Sequence, residues 1–416
     1  MYKAVAETDP EIYSLIGSEV QLQATTLRMI ASENYASSAV QQAVGSPLAN
    51  KYSEGYAGRR YYEGQQMIDQ VETLAINRVK QIFGAEHVNV QPYSGSPANL
   101  AVYYALCEIG DPVMGLGLSH GGHLTHGWNV NFSGRWFNAT QYPVDRSTEL
   151  IDYAEVRRLA RETKPKMIIA GITAYPRVVE WNIFREIADE VGAQLVADIA
   201  HICGLVAAGL HPSPVGIADV VTSTTHKTFR GPRGGMIMCR AGLASAIDRA
   251  VFPGLQGGPH NNTTAGIAVA AHEALQPSFK EYATRVVTSA KALGEALTGY
   301  GYRLVTGGTD NHMLIVDLTP KGVSGKPVAK ALDRAGIVTN FNSIPFDPRK
   351  PMDPSGIRVG LASLASRGIG PDEMPRVAAW IDRVVKGLDN EAEIAAVRAE
   401  VSEFTAAYPA PGLSFE

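Results

Sequence analysis

The chain has 416 residues, 45% hydrophobic and 19% charged, with a formal net charge of -4 at pH 7. That is the composition of a globular protein, and the slight acidity offers no electrostatic footprint for nucleic acid or an acidic membrane. No apolar run is long enough to cross a bilayer, and Met1-Tyr-Lys-Ala-Val-Ala-Glu-Thr-Asp9 lacks the apolar core of a secretory signal.

In chain order, residues 10 to 30 read as an amphipathic helix, with Ile12, Ile16, Val20, Leu22 and Leu27 near helical spacing. A loop-rich section dense in Tyr, Gly and Arg follows to about residue 65, and helix returns over 69–84. From there to about residue 240, short apolar runs (Val88-Asn-Val90, Met167-Ile-Ile-Ala-Gly171, Leu195-Val-Ala-Asp198, Val220-Val-Thr222) alternate with helical patterns. Such alternation predicts an α/β fold with parallel strands. Helices over 262–275 and 279–299 lead to a strand at Met313-Leu-Ile-Val-Asp317 and helices near 324–335 and 370–406, read as a smaller α+β domain. The expected division is an N-terminal helical arm over 1–48, a large domain over 49–278 and a small one over 279–416. Cys107, Cys203 and Cys239 stand far apart in apolar contexts, as reduced core thiols do. With no signal core, they make a cytoplasmic location the expectation.

Six segments carry candidate chemistry. Ser223-Thr-Thr-His-Lys-Thr-Phe-Arg-Gly-Pro-Arg-Gly-Gly235 places Lys227 after an apolar run and before a glycine-rich turn. A lysine at a strand end can form a Schiff base with a carbonyl such as the aldehyde of pyridoxal phosphate, although most lysines are solvated surface charges. Asp198 closes the preceding apolar run, with His201 beyond it. A carboxylate there can pair with a pyridinium nitrogen or simply cap a helix. Ser94-Gly-Ser96 opens an apolar helix, either as a phosphate cup or as a plain serine cap. His120-Gly-Gly-His-Leu-Thr-His126 has no carboxylate and no nearby partner ligand, so no metal is expected. A histidine stacked on a flat ring explains the glycines better. Lys51-Tyr-Ser-Glu-Gly-Tyr-Ala-Gly-Arg-Arg-Tyr-Tyr-Glu-Gly64 is a glycine-punctuated loop in which Glu54 could act as acid or base. Finally, Arg358 in Gly356-Ile-Arg-Val-Gly360 could clamp a carboxylate or join a buried ion pair.

Together these segments resemble the serine hydroxymethyltransferases, over about residues 10 to 390. The likeness extends to Ile30-Ala-Ser-Glu-Asn34, Gly121-Gly-His-Leu-Thr-His-Gly127, Ala200-His-Ile-Cys-Gly-Leu-Val-Ala-Ala-Gly209 and Phe252-Pro-Gly-Leu-Gln-Gly-Gly258. It implies a fold type I pyridoxal phosphate transferase, with tetrahydrofolate as co-substrate. It implies that Lys227 bonds the cofactor, Asp198 pairs its ring nitrogen, His123 stacks on the ring and His201 lies near its phenolic oxygen. Ser94, Gly95 and Ser96 would hold the phosphate, with Gly257 and Gly258 from a partner subunit. Arg358 and Ser32 would bind the amino acid, and His226 matches a position linked to substrate choice. Tyr52, Glu54 and Tyr62 would arrive across a dimer interface, with Glu54 moving protons. Leu118, Gly122, His123, Leu124 and Asn342 match the folate pocket. An obligate homodimer, alone or as a dimer of dimers, is expected, with an amino acid and folate as its small-molecule partners.

The chain also departs from the family pattern. Glu63 stands where a glycine is usual, Phe341 where a lysine is usual, Leu361-Ala-Ser363 where Thr-Pro-Ala is usual, and Thr173 where serine is common. These changes leave the cofactor residues intact and bear on substrate choice. The expected reaction converts L-serine to glycine. The alternatives are a 2-methylserine hydroxymethyltransferase yielding alanine, a folate-independent aldolase or transaldolase on β-hydroxy amino acids, and a catalytically silent binding protein.

Overall fold

The structure, a computed structural model, describes residues 2–413. Its contacts divide the chain into two compact units: residues 39–283, and residues up to 38 together with those from 284 onward.

The larger unit is built on a seven-stranded sheet: β1 (His87–Asn89), β2 (Pro112–Leu116), β3 (Asn138–Tyr142), β4 (Met167–Gly171), β5 (Gln194–Asp198), β6 (Val220–Thr224) and β7 (Gly235–Cys239). Their spatial order is β1-β7-β6-β5-β4-β2-β3. The run from β6 to β3 is parallel, and β7 is antiparallel to both β6 and β1. Strands β4, β6 and β7 are buried at every position, as strands covered on both faces are. Crossover helices supply the cover. Trp181–Val191 turns Trp181, Phe184, Ile187 and Ala188 inward and stops at Gly192, whose left-handed φ of 71° ends the helix. Parallel pairing leaves the carboxyl ends of β2, β4, β5 and β6 on one edge, where open α/β sheets bind ligands. The register sets Gly171 beside Asp198 and Asp198 beside Thr222.

In the other unit, β8 (Arg303–Leu304), β9 (Met313–Asp317), β10 (Asn340–Asn342) and β11 (Gly356–Gly360) form an antiparallel sheet in the order β8-β9-β11-β10. Leu332, Ile357, Val359, Trp380 and Val401 belong to its buried core.

Two sequence expectations change here. The helix expected over 10–30 spans Pro10–Ala24, because the Thr25 and Thr26 hydroxyls fold back onto the carbonyls of Gln21 and Leu22. Arg367 then takes the carbonyls of Gln23, Ala24 and Thr26. Leu27 lies instead on a short strand paired with Ile337, and the helix itself buries none of its side chains, Leu15 being 61% exposed. The helical pattern of 370–406 is two helices, Met374–Lys386 and Glu391–Ala406, the second capped by the Asn390 side chain.

Candidate functional site

Asp198, the last residue of β5, is 7% exposed. Its Oδ1 accepts the Ala200 N–H at 3.0 Å, the local turn that a capping aspartate makes. Its Oδ2 accepts from Asn99 Nδ2 at 2.8 Å and faces His126 Nε2 at 3.2 Å. Burial pushes the carboxyl up. The hydrogen bonds of His126 and Asn99, aided by His123, outweigh burial and hold it far below the usual carboxylate range. The group is therefore an ionised acceptor at the sheet edge. His123 lies on the loop after β2, its Nδ1 2.8 Å from Thr125 Oγ1. His201 is buried in the turn after β5, where its carbonyl accepts from Thr228 Oγ1.

Lys227 follows β6 by three residues, in the turn that continues from Thr224. Burial pushes the Cys203 thiol up to about 12; a hydrogen bond with Ser223 opposes this, the charge of Asp198 adds to it and that of Lys227 opposes it. The ammonium and the carboxylate thus both act on one buried sulfur. His226, next to Lys227, is pushed down to about 3 by burial and by the charges of Arg233 and Lys227, so its imidazole is neutral. Its Nδ1 is buried without a hydrogen-bond partner among the described residues.

Ser94 occupies the N-cap position of helix Gly95–Leu106, yet its side chain makes no capping hydrogen bond. The hydroxyl and the first backbone N–H groups of the helix remain available for an anion. This turn is pressed close to the sheet. A Cβ on Gly95 would lie 2.6 Å from Thr224 Cγ2, and one on Gly235 would lie 2.5 Å from the Ser94 carbonyl oxygen. A cup with idle donors, a neutral imidazole with an unused nitrogen, a lysine and an ionised buried carboxylate fit pyridoxal phosphate.

A second cluster in the same unit gathers Tyr52, Glu54, Tyr62, Gly257 and Gly258. The Tyr62 hydroxyl donates to Glu54 Oε2 at 2.9 Å, which raises the tyrosine pKa. Tyr52 and Tyr62 meet edge to face at 5.8 Å. A Cβ on Gly257 would lie 3.2 Å from Glu54 Oε1, and one on Gly258 would lie 3.1 Å from Tyr52 Cζ. Buried Arg60 holds this loop, bonding Asp69 at 2.9 Å, Glu72 at 3.1 Å and the carbonyls of Ser53 and Gly55. Tyr93 links the cluster to the Ser94 turn, donating its hydroxyl to the Gly258 carbonyl at 2.9 Å. Glu63, one of the departures, is exposed.

Leu118, Gly122 and Leu124 share the loop after β2 with His123. Gly122 approaches the Leu116 carbonyl too closely for any Cβ, and Leu124 is exposed. Thr173 donates its backbone N–H to the Gly121 carbonyl of the same loop.

The smaller unit carries the remaining candidates. Arg358 is buried on β11 with Nε 3.2 Å from Asn340 Oδ1, and burial lowers its pKa to about 10. Asn342 ends β10, and Phe341 between the two asparagines is partly exposed. Ser32 lies on a loop pinned at Met29 O by the Gly360 N–H, at Ala31 O by His312 Nε2 and at Glu33 O by Ser363 Oγ. The hydroxyl that departs from the family pattern therefore holds the loop that carries Ser32.

Sequence reading overlooked Asn99, Thr125 and Thr222, and left His126 without a role. Polar residues inside an apolar helix and strand were the available signal. His123, His126 and Asp198 present possible ligand atoms within 4.8 Å of one another. The hydrogen bonds among Asp198, His126, Thr125 and His123 account for that proximity.

Comparison with known proteins agrees with this geometry. Residues 5–381 match the family model described as "Serine hydroxymethyltransferase". The chain is 63% identical over 411 residues to the serine hydroxymethyltransferase of Sorangium cellulosum, covering 99% of this chain and 97% of that protein. It is 60% identical over 416 residues to that of Acidothermus cellulolyticus, with the same coverage. Against that of Desulfotalea psychrophila it is 57% identical over 410 residues, covering 99% and 96%. A match over nearly the whole length, on a fold whose sheet edge gathers Asp198, His123 and the Ser94 turn, means that the chain belongs to the serine hydroxymethyltransferase family.

Proposed function

We propose that this protein catalyses the reversible transfer of a hydroxymethyl group between L-serine, giving glycine, and tetrahydrofolate, with pyridoxal phosphate as cofactor. The observation that carries the reading is Asp198, a buried carboxylate kept ionised at the carboxyl edge of the sheet by Asn99 and His126. Bound pyridoxal phosphate supplies an electron sink for charge developing at the substrate's Cα.

The chain's own residues do the rest. Lys227 would hold the cofactor through its ε-amine. Asp198 would pair with the ring nitrogen, His123 would stack on the ring and His201 would lie near the phenolic oxygen. Ser94, Gly95 and Ser96 hold the phosphate, with Gly257 and Gly258 of a second copy. Arg358 clamps the amino acid carboxylate, Ser32 contacts the same substrate and neutral His226 shapes substrate choice. Glu54 moves a proton near the hydroxymethyl oxygen, and Tyr62 and Tyr52 orient it. Leu118, Gly122, His123, Leu124 and Asn342 receive the folate.

The paired exposed tyrosines around Glu54 support a homodimer in which this cluster serves the neighbouring site. Among the described residues no helix is long and apolar enough to cross a membrane, and we place the enzyme in the cytoplasm. The named relatives favour L-serine over 2-methylserine, and tetrahydrofolate as the acceptor over a folate-independent aldol reaction.

The test is kcat/KM for L-serine and for 2-methylserine, each with and without tetrahydrofolate, beside a Lys227→Ala control. Folate-dependent turnover of L-serine that is lost in Lys227→Ala is expected. Preference for 2-methylserine, folate-independent turnover, or full activity in the variant would each overturn this reading.

A further inference from the structure

Asn99 sits one turn into the helix Gly95–Leu106, whose amino end is the proposed phosphate cup, and it is buried. Its side-chain oxygen accepts from the Thr222 hydroxyl at 2.6 Å. The ionised Asp198 carboxylate only accepts, so the amide nitrogen must face it and the amide oxygen is left toward Thr222, whose hydroxyl therefore donates. Nδ2 has two hydrogens and two acceptors, Asp198 Oδ2 at 2.8 Å and Thr125 Oγ1 at 2.8 Å. Thr125 Oγ1, which accepts from Asn99, lies 2.8 Å from His123 Nδ1. The Thr125 backbone N–H approaches the same nitrogen at 3.3 Å. His123 is therefore held with Nδ1 as acceptor and its proton on Nε2.

A parallel chain fixes the other donor to Asp198. The His123 backbone N–H donates to His126 Nδ1 at 3.1 Å, which leaves the His126 proton on Nε2, aimed at Asp198 Oδ2. The strands beside this imidazole are reduced to glycine. A Cβ on Gly171 would lie 2.9 Å from His126 Cε1, and one on Gly115 would lie 2.5 Å from the His126 carbonyl. The interior is shaped around the network, and Asn99, Thr125, Thr222 and His126 are all buried within it.

We infer that Asn99, held on its oxygen side by Thr222, is a positioning residue that joins the phosphate-cup helix, the ring-nitrogen carboxylate Asp198 and the ring-stacking His123 into one preorganised frame for the cofactor. This inference rests on the pyridoxal phosphate reading. A donor bound to the carboxylate before the cofactor arrives needs no reorganisation on binding, and a fully satisfied buried network holds its members in one arrangement. Asn99 transmits this constraint without touching the cofactor itself.

The experiment compares wild type with Asn99→Ala, Thr222→Val and Thr222→Ser, each stripped of cofactor and titrated with pyridoxal phosphate. The dissociation constant is measured, together with the pH dependence of the visible absorption of the loaded protein. Asn99→Ala is expected to weaken binding at least tenfold and to shift the absorption titration. Thr222→Val keeps the volume but removes the donor that satisfies the buried amide oxygen; a fivefold or greater weakening and a shift in the same direction are expected. Thr222→Ser restores the donor and is expected to stay within twofold of wild type. Circular dichroism reports folding, and if Asn99→Ala does not fold, the valine–serine pair decides. Binding within twofold of wild type and an unshifted titration in Thr222→Val, and in Asn99→Ala if it folds, overturn the inference. A wild-type protein that does not bind pyridoxal phosphate overturns the functional reading instead, and the inference with it.

Discussion

Gly235→Ala makes a sharp demand on the proposed phosphate cup. A Cβ at this position would lie 2.5 Å from the Ser94 carbonyl oxygen and 2.7 Å from its carbonyl carbon. Both atoms are backbone, so no side chain can swing away. Ordinary contact requires the two segments to part by roughly 1 Å. Gly235 also donates its N–H to the Pro92 carbonyl at 3.0 Å and pairs with Thr224 on β6, which resists movement from the β7 side. The displacement therefore falls on the turn at Ser94–Ser96. Overpacking of this kind costs about 1–3 kcal/mol. If most of it appears as lost cofactor binding, affinity falls by about 10- to 100-fold. The assay is a pyridoxal phosphate titration of the cofactor-free protein, with thermal melts of the same samples. Gly242→Ala is the control, since nothing lies within 4 Å of its added Cβ. Gly235→Ala binding the cofactor as tightly as Gly242→Ala would refute the placement of the phosphate at this turn.

Other consequences follow from the same geometry. Arg358→Lys replaces a planar fork with a point charge. Losing one charge-assisted hydrogen bond is worth about 1.5–3 kcal/mol, so the KM for serine should rise about 10- to 100-fold, with a smaller change in kcat; steady-state kinetics over serine concentration check this. Tyr62→Phe removes the hydroxyl that donates to Glu54 and should lower kcat by on the order of tenfold, below the full contribution of a positioned acid or base, while pyridoxal phosphate affinity stays unchanged. The depressed pKa of Asp198 gives a pH signature. As pH falls, the unfolded chain takes up this proton first. Ionised Asp198 therefore adds stability that is complete at neutral pH and is lost below about pH 4, as pH falls toward the folded value. Urea unfolding of cofactor-free wild type and Asp198→Asn should show a gap at pH 7 that narrows on acidification; a gap independent of pH contradicts the assignment.

Much of the larger unit was legible in the chain. The runs Met167-Ile-Ile-Ala-Gly171 and Val220-Val-Thr222 are continuous and apolar because both sheet faces are covered, and their alternation with helical patterns gives parallel topology. The helix Pro10–Ala24 was less legible. Its apolar stripe continues in the sequence to Leu27, but the chain leaves the helix at Thr25, since distant Arg367 takes the terminal carbonyls. A local periodicity contains no information about a guanidinium more than 300 positions away.

By itself, the sequence determined the fold class and the family, and it singled out Lys227, Asp198, His123 and Arg358 as candidates, because chemistry selects residue types and the motifs around them are contiguous. Only the tertiary structure decided what surrounds them. Asn99 meets Asp198 across 99 positions and Thr222 across 123; Gln256 bonds Gln91 across 165. In sequence, Asn99 is one polar residue in an apolar helix, with nothing to separate a buried donor from a solvated one. Burial and hydrogen-bond partners depend on which strands become neighbours, and sheet register, a long-range property, settles that. The low pKa of Asp198 has the same origin: two donors from distant segments converge on one oxygen and overcome the burial that would otherwise neutralise it.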